Sequence, residues 1–293
     1  MPRAPLDWRR DGRDWPNRAA SRFVRAGGVA WHVQIAGTGP VVLLLHGAGG
    51  ATHSWRRLLP LLSEHFTVVA PDLPGHGFSA PALGSGMSLA GVARRLGRLC
   101  TTLGLAPALG IGHSAGAAAL VRMSLDGDIA PRALVAINGA LLPFEGVARQ
   151  SYPAMARALS FNPLVPWMVS TLATGPNVLP ALTRSLGTRL AAEDIARYAR
   201  LARSPGHVSG VLSMLADWDL EGLWADCAGL RVPLTLLTGK DDDMVTPSQA
   251  NRIATRIPQA EVIAFDGLGH LAHEEAPEAV ATAILGAVER AGL

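Results

Sequence analysis

The sequence predicts an α/β protein with a mostly parallel sheet of eight strands, helices on both faces and an inserted helical cap. Apolar runs of strand length alternate with helix-length stretches along most of the 293 residues, which is typical of a parallel sheet covered by helices. Several of these runs end in glycine-rich segments, where open α/β sheets place their functional sites. The alternation stops between residues 141 and 230, where helical patterns broken by prolines replace the strands.

The predicted strands are short runs of mainly apolar residues. The first two flank Gly27 and Gly28, a pair that is typical of a hairpin turn. The later runs are apolar throughout, as expected for strands buried on both faces of a sheet. The eight runs are residues 21–25, 30–35, 41–45, 66–70, 107–111, 133–137, 232–237 and 262–265. The predicted helices are residues 55–62, 89–103, 115–121, 249–257 and 276–289.

This pattern divides the chain into three parts. Residues 21–140 and 231–293 form the predicted core, residues 141–230 the cap, and residues 1–20 a basic N-terminal arm. Seven arginines and three aspartates in the first 25 residues give that stretch a charge of +4, against +3 for the whole chain. Such an arm suits an acidic partner or an anionic membrane surface, and the simpler alternative is a solvated, loosely attached segment.

Composition narrows the class of protein. Hydrophobic residues make up 49% of the chain and charged residues 17%, which supports a large core and argues against disorder. No basic stripe alternates with aromatic residues, so nucleic acid is not an expected partner. Cys100 and Cys227 fit no metal or redox spacing and are expected to be reduced, buried thiols. The sequence begins without the apolar run of a secretory signal, so we expect a cytoplasmic protein.

A stretch without any charged residue runs from residue 158 to residue 183. Its length would suit a membrane span, but its four prolines break any continuous helix. We therefore interpret the stretch as an apolar flap over a pocket. Peripheral contact with the inner membrane is the alternative.

Residues 112–116, Gly-His-Ser-Ala-Gly, carry the predicted chemistry. They follow an apolar run and open into an alanine-rich stretch, so Ser114 stands between a strand and a helix. A serine among small residues at such a junction is typical of a nucleophile elbow, whose tight turn presents the hydroxyl beside the free N–H groups of a helix. A five-residue pattern also occurs by chance, so the partners of Ser114 must support it.

A serine nucleophile needs a base, and the base needs an acid to orient it. The loop after the seventh predicted strand contains Asp241, Asp242 and Asp243. Asp242 has the best spacing from the preceding glycine, and we interpret the other two as solvated charges. The loop after the last strand contains His270 in a glycine-rich turn and His273 one helical turn later. We predict His270 as the base and His273 as a support, since a metal site at this pair lacks a third ligand.

The oxyanion that forms during acyl transfer needs backbone N–H donors. We predict Ala115, directly after the nucleophile, as one donor. The second is predicted to be Ala48, in the glycine-rich segment after the third strand. His46, at the start of that segment, is predicted to hold it in place. The predicted reaction needs no cofactor and no metal.

These residues together resemble the α/β-hydrolase superfamily from residue 21 to the end of the chain. The resemblance rests on segments 46–49, 72–77, 112–116, 239–245 and 269–270. It implies the α/β-hydrolase fold and a catalytic triad of Ser114, Asp242 and His270. The departures are small: Thr246 stands where many relatives have proline, and three aspartates crowd the position of the acid.

A closer resemblance is to the magnesium-chelatase accessory proteins of bacteriochlorophyll biosynthesis. It rests on residues 10–18, 21–24 and 31–34 and on the elbow with its alanine-rich helix. It implies a role around the insertion of magnesium into protoporphyrin in a phototrophic bacterium, with magnesium chelatase subunits as partners. The resemblance indicates a pathway and names no reaction.

The predicted cap is rich in aromatic residues and methionine, which suit a large, flat, apolar ligand. The alternative is that a helical cap uses these side chains for a small core of its own. The residues predicted to contact the substrate are Phe144, Trp167, Met168, Met214 and Trp218.

The predicted function is that of a serine hydrolase acting on an ester-like bond of an apolar substrate, with a porphyrin as a candidate. One alternative is an accessory or chaperone protein that binds a porphyrin without catalysis. The others are a general small-ester hydrolase with no role in pigment synthesis and a hydrolase scaffold that has lost catalysis.

Overall fold

A computed structural model describes residues 6–143, 162 and 164–292, and these contain the predicted eight-stranded sheet. The strands are β1 Ser21–Ala26, β2 Val29–Ala36, β3 Val41–Leu45, β4 Thr67–Pro71, β5 Pro107–His113, β6 Ala133–Ile137, β7 Leu234–Gly239 and β8 Ala260–Phe265. Their order in the sheet is β1-β2-β4-β3-β5-β6-β7-β8. β2 pairs antiparallel with β1 and β4, and the other neighbours pair parallel. The predicted fold class is confirmed.

The sheet is buried on both faces, which explains the continuous apolar character of its central strands. On β3, Leu43 and Leu45 belong to one core cluster, whereas Val42 and Leu44 belong to the other. They alternate because successive residues of a strand point to opposite faces. The first face is covered by α3 (Leu89–Leu103), α4 (Ala115–Asp126) and α10 (Pro247–Arg256), and the second by α2 (Leu58–Ser63) and α12 (Pro277–Arg290). Two single turns are α1 (Trp8–Asp11) and α11 (Ala272–Glu275).

Helices occupy the described part of the chain between β6 and β7, where the sequence predicts a cap. They are α5 Leu164–Leu172, α6 Val178–Ser185, α7 Ala192–Ala202, α8 Pro205–Ala216 and α9 Leu220–Asp226. Across the residues that the structure describes, no helix combines the length and the apolar character that crossing a membrane requires.

The N-terminal segment packs against the core instead of standing in solvent. Trp15 is 2% exposed, and its indole Nε1–H donates to Thr52 Oγ1 at 2.9 Å. Asp14 forms an ion pair with Arg200 of α7 at 2.7 Å. The expectation of a loosely attached arm is therefore wrong for residues 6–20, because an aromatic anchor and an ion pair fix them in place.

Candidate active site

Ser114 lies at the turn between β5 and α4. Its backbone has φ 50° and ψ −118°, a conformation that costs free energy for any residue other than glycine. Neighbouring backbone holds this turn: the N–H of Ser114 donates to the carbonyl of Ile137 at 3.0 Å, and the N–H of Ala140 donates to the carbonyl of Ser114 at 3.2 Å. Ser114 is 8% exposed, and its hydroxyl does not cap the described N-terminus of α4. Ser114 thus lies at the N-terminus of α4 without using its hydroxyl as the helix cap.

Two glycines allow this turn because β5, α4 and β3 approach one another closely. A Cβ added at Gly112 would lie 2.4 Å from the backbone nitrogen of Ala117. One added at Gly116 would lie 2.0 Å from the carbonyl oxygen of Leu45. Both distances are far below van der Waals contact, so the backbone packing itself requires the small residues of the elbow.

The ends of β7 and β8 bring Asp242 and His270 together. His270 Nδ1 lies 2.8 Å from Asp242 Oδ2, and the two residues are only 4% and 2% exposed, respectively. The other carboxylate oxygen, Oδ1, accepts the backbone N–H groups of Met244 and Val245 at 2.8 and 2.9 Å. Because a carboxylate can only accept from the imidazole, it favours the tautomer with hydrogen on Nδ1 and a lone pair on Nε2. A general base requires that tautomer.

Asn138 is a site residue that the sequence analysis missed. It follows β6 directly, has a left-handed backbone with φ 47°, and donates from Nδ2 to Asp242 Oδ2 at 2.7 Å. The same oxygen therefore receives Asn138 and His270, which fixes the carboxylate towards the histidine. A polar residue directly after a buried parallel strand was the available signal for it.

The loop after β3 lies against the elbow, where the oxyanion donors are predicted. A Cβ added at Gly47 would lie 3.0 Å from Ser114 Cβ and 2.7 Å from His113 Nδ1. Ala48 follows in this loop and is exposed, and Ala115 opens α4 at 5% exposure. The first N–H groups of a helix have no partner within it, and Ala115 carries the first N–H group of α4.

Two buried histidines support these loops. His46 accepts the N–H of Leu73 at Nε2, at 2.9 Å, and donates from Nδ1 to the carbonyl of Gly47 at 2.8 Å. It therefore holds the loop, as predicted. His113 pairs through Nε2 with the carbonyl of His270 at 2.9 Å. Burial lowers the pKa of both histidines below the usual value, so both are neutral at pH 7 and act through hydrogen bonds.

A family model of the α/β hydrolase fold matches residues 40–277, a range that contains the elbow and the loops of Asp242 and His270. The chain belongs to the α/β-hydrolase fold family. Ser114, Asp242 and His270 follow one another along the chain in the order that this fold uses for nucleophile, acid and base.

Comparison with individual proteins places this chain more precisely within the α/β-hydrolase fold family. It is 38% identical over 274 residues to the magnesium-chelatase 30 kDa subunit of Rhodobacter capsulatus, covering 93% of this chain and 95% of that protein. This relationship confirms the resemblance to the magnesium-chelatase accessory proteins.

Solved structures of α/β hydrolases share the fold. An α/β hydrolase fold protein from Burkholderia ambifaria superposes with a TM-score of 0.77 at 22% identity, covering 97% of this chain and 99% of that chain. A thermophilic esterase from Thermogutta terrifontis gives a TM-score of 0.74 at 23% identity, covering 92% and 98%. At these identities the comparison establishes the fold alone.

The predicted substrate contacts of this α/β hydrolase lie in two environments. Trp167 and Met168, on α5, are 41% and 50% exposed. Met214, on α8, is fully buried in the core cluster that includes α3 and α4, and Trp218 packs against that cluster. Phe144 lies outside the described residues. The setting of Met214 and Trp218 is that of packing residues, whereas Trp167 and Met168 remain accessible on α5.

His207 of α8 ties this part of the chain to the loop that carries Ala48. It accepts the N–H of Gly77 at Nδ1, at 3.1 Å, and therefore donates from Nε2 to the carbonyl of Gly49 at 3.2 Å. Burial lowers the pKa of His207 to about 4, so the ring is neutral at pH 7 and can make both hydrogen bonds.

Helix α7 is tied to the segment after His270 by a buried polar network. Arg56 lies between Asp194 of α7, at 2.5 Å, and Glu274. Tyr198 of α7 also donates to Glu274 Oε1, at 2.5 Å. Asp194 and Glu274 are each 1% exposed. Breaking a buried pair of this kind leaves an unpaired charge, so α7 is firmly attached to the core at this point.

Proposed function

We propose that this α/β hydrolase is a serine hydrolase that cleaves an ester-like bond of an apolar substrate and assists magnesium chelatase in bacteriochlorophyll biosynthesis. One observation carries the catalytic part: the buried hydrogen bond of His270 to Asp242, at the edge of the sheet where Ser114 stands on a left-handed turn. The relationship to the magnesium-chelatase 30 kDa subunit supports the role in the pathway.

In the proposed reaction, His270 Nε2 takes the hydroxyl proton of Ser114 while the serine Oγ attacks the carbonyl carbon. The carbonyl oxygen becomes an oxyanion and accepts the N–H groups of Ala48 and Ala115. The imidazolium, stabilised by Asp242, then gives its proton to the leaving alkoxide, which departs as an alcohol. Water attacks the acyl-enzyme in the same way and releases the acid.

The apolar character of the substrate is supported by α5. This helix exposes Leu164, Trp167, Met168 and Leu172 at 69%, 41%, 50% and 64%. Exposed large apolar side chains that cluster on one element are typical of a binding surface. We therefore propose Trp167 and Met168 as contacts for an apolar substrate.

The catalytic part is tested with an organophosphonate, which reacts covalently with an activated serine. We expect one phosphonyl group per chain, located at Ser114 by peptide mass spectrometry. Ser114→Ala and His270→Gln are expected to remain unlabelled, whereas Ser124→Ala, a serine substitution on α4, is expected to react as the wild type does. A well-folded wild type that stays unlabelled would contradict the catalytic proposal.

A porphyrin-binding accessory protein without catalysis is the second candidate, and the exposed apolar side chains of α5 favour it. On this alternative, protoporphyrin binds the wild type and Ser114→Ala with equal affinity, as measured by the quenching of tryptophan fluorescence. Trp167→Ala weakens this binding. The chain is then unreactive towards the organophosphonate. Phosphonylation at Ser114 would reject this alternative in favour of the hydrolase.

A further inference from the structure

The segment 186–189, between α6 and α7, lies directly on the loop that carries His270. We call these four residues the cap strap. The backbone N–H of His270 donates to the carbonyl of Leu186 at 3.0 Å. The next N–H, that of Leu271, donates to Thr188 Oγ1 at 3.0 Å. Two consecutive backbone N–H groups of the proposed base loop are thus satisfied by the strap.

The strap also touches the loop that carries Asp242. Gly187 has φ 67°, and a Cβ added there would lie 1.7 Å from the carbonyl oxygen of Asp241. A Cβ added at Gly269 would lie 2.3 Å from the carbonyl carbon of Gly187. The strap therefore packs at backbone contact between the acid loop and the base loop, where only glycine fits.

Glu275 closes the same contact from the other side. Its Oε2 accepts the N–H of Gly269, and its Oε1 accepts the N–H of Arg189, both at 2.9 Å. One carboxylate thereby joins the strap to the residue that precedes His270. Thr188 itself is fully buried, and its N–H donates to the carbonyl of Thr183 in α6 at 3.1 Å. The strap is thus anchored on α6 as well as on the base loop.

We propose that the cap strap positions His270 and that Thr188 is its main positioning residue. The hydroxyl of Thr188 holds the backbone of Leu271, which sets the direction in which the adjacent His270 ring leaves the chain. The ring must satisfy Asp242 through Nδ1 and still present Nε2 to Ser114. Since a displacement of about 1 Å can cost about 100-fold in rate, this backbone anchor bears directly on catalysis. The catalytic consequence rests on the proposed function.

The test compares Thr188→Val, which removes the acceptor at nearly constant volume, with Thr188→Ser, which keeps it. Two readouts are used: the rate of phosphonylation of Ser114, and the low-field proton NMR resonance of the His270 Nδ1–H bonded to Asp242, recorded in a Ser114→Ala background. Thr188→Val is expected to slow phosphonylation about 10- to 100-fold and to shift or broaden the resonance. Thr188→Ser is expected to restore both. Thr235→Val, a buried threonine of β7 bonded to Glu261, is the matched control and is expected to change neither.

A second variant keeps the proposal testable if Thr188→Val fails to fold. Glu275→Gln changes a partly exposed side chain and removes one of the two acceptors that join the strap to the base loop. We expect Glu275→Gln to slow phosphonylation less than Thr188→Val does and to shift the His270 resonance in the same direction. If the folded Thr188→Val, or Glu275→Gln in its place, leaves the rate and the resonance unchanged, the strap does not position His270. A wild type that is never phosphonylated would reject the proposed function, while the NMR comparison would still decide the role of the strap.

Discussion

The molecule contains a second serine–histidine–aspartate set, and comparing it with the proposed active site shows what such a set needs for catalysis. His32 Nδ1 lies 2.7 Å from Asp72 Oδ2, and His32 Nε2 lies 3.0 Å from Ser21 Oγ. The first distance matches the 2.8 Å between His270 and Asp242, and His32 and Asp72 are fully buried. The distance between histidine and aspartate therefore does not separate the two sets.

The backbone around the serine separates them. Ser21 begins β1 at the edge of the sheet with an extended backbone of φ −74° and ψ 135°, whereas Ser114 stands on a left-handed turn at the start of α4. The hydroxyl of Ser21 also accepts Gln34 Nε2 at 3.3 Å. Of these two serines, Ser114 is the one that lies at the N-terminus of a helix, next to its free N–H groups.

The surroundings of His32 also distinguish it from His270. The rings of Trp8, Phe23 and Phe78 lie 4.8 to 5.4 Å from that of His32. Asp72 also accepts the backbone N–H of Phe78 at 2.9 Å. The set at His32 therefore joins β2, the loop after β4 and the N-terminal segment. We interpret it as structural.

The largest expected difference between the sets is in activity. Ser114→Ala should lower the rate of ester hydrolysis by about 10⁶-fold, because the nucleophile is lost. Ser21→Ala should leave the rate unchanged. Hydrolysis of a p-nitrophenyl ester by equal amounts of folded protein checks this pair, and an equal loss in both variants would mean that the comparison is wrong.

Substitutions of Asp242 and Asp72 should differ in their effect on activity almost as much as those of the two serines. In Asp242→Asn the amide donates to His270 Nδ1, which leaves the proton on Nε2, so the histidine can no longer act as a base. We expect a rate about 10⁴-fold lower with little change in melting temperature. Steady-state kinetics and calorimetry of the same sample measure both quantities. An Asp242→Asn variant that hydrolyses esters normally would exclude Asp242 from the reaction.

The opposite outcome is expected for Asp72. Burial alone would raise the pKa of Asp72, but His32 and the backbone N–H donors outweigh it and hold this pKa well below the usual value. The ionised form therefore stabilises the fold above about pH 4, and this contribution is lost as the pH falls through the lower pKa of the folded state. Asp72→Asn should lower the free energy of unfolding by about 3 to 5 kcal/mol at pH 7. Urea unfolding at pH 7 checks this, with the rate per folded molecule retained.

Mild acid is expected to weaken the hydrogen bonds of His207 to Gly77 and Gly49 before it affects Asp72. The pKa of His207 is about 4 in the folded protein and near 6.5 in an unfolded chain, so the unfolded chain binds the proton first. Stability is fully present above about pH 6.5 and is lost as the pH falls towards 4, by about 3 kcal/mol for this group. His207→Gln should flatten the dependence of urea unfolding on pH in this range. A variant of the exposed His65 is the surface control, and equal curves for the two variants would contradict the assignment.

The sequence predicts those features that each depend on one short segment. The elbow at Ser114 could be predicted from the sequence because close backbone packing admits only glycine at positions 112 and 116. Asp242 and His270 could be proposed from the sequence because each lies in a loop after a predicted strand. The same logic defines the central strands, β3 to β7, since their apolar runs reflect burial on both faces of the sheet.

Features that depend on contacts between two distant segments could not be predicted from the sequence. Asn138 meets Asp242, and Thr188 meets Leu271, across long separations in sequence. Thr188 has no distinctive local pattern, and the position of Asn138 directly after β6 does not by itself identify its partner. The arginines of the N-terminal segment suggested a solvated arm, while Trp15 gave no sign of its contact with Thr52. The burial of Met214 likewise depends on where α8 packs, which composition does not show.

The central claim, that Ser114 is used in catalysis, is tested most directly by complementation. A Rhodobacter capsulatus strain without its magnesium-chelatase 30 kDa subunit would express the wild type, Ser114→Ala or Ser21→Ala at equal protein levels, with bacteriochlorophyll as the readout. We predict that the wild type and Ser21→Ala restore pigment and that Ser114→Ala does not. Full restoration by Ser114→Ala would contradict the claim and leave a binding function for the fold.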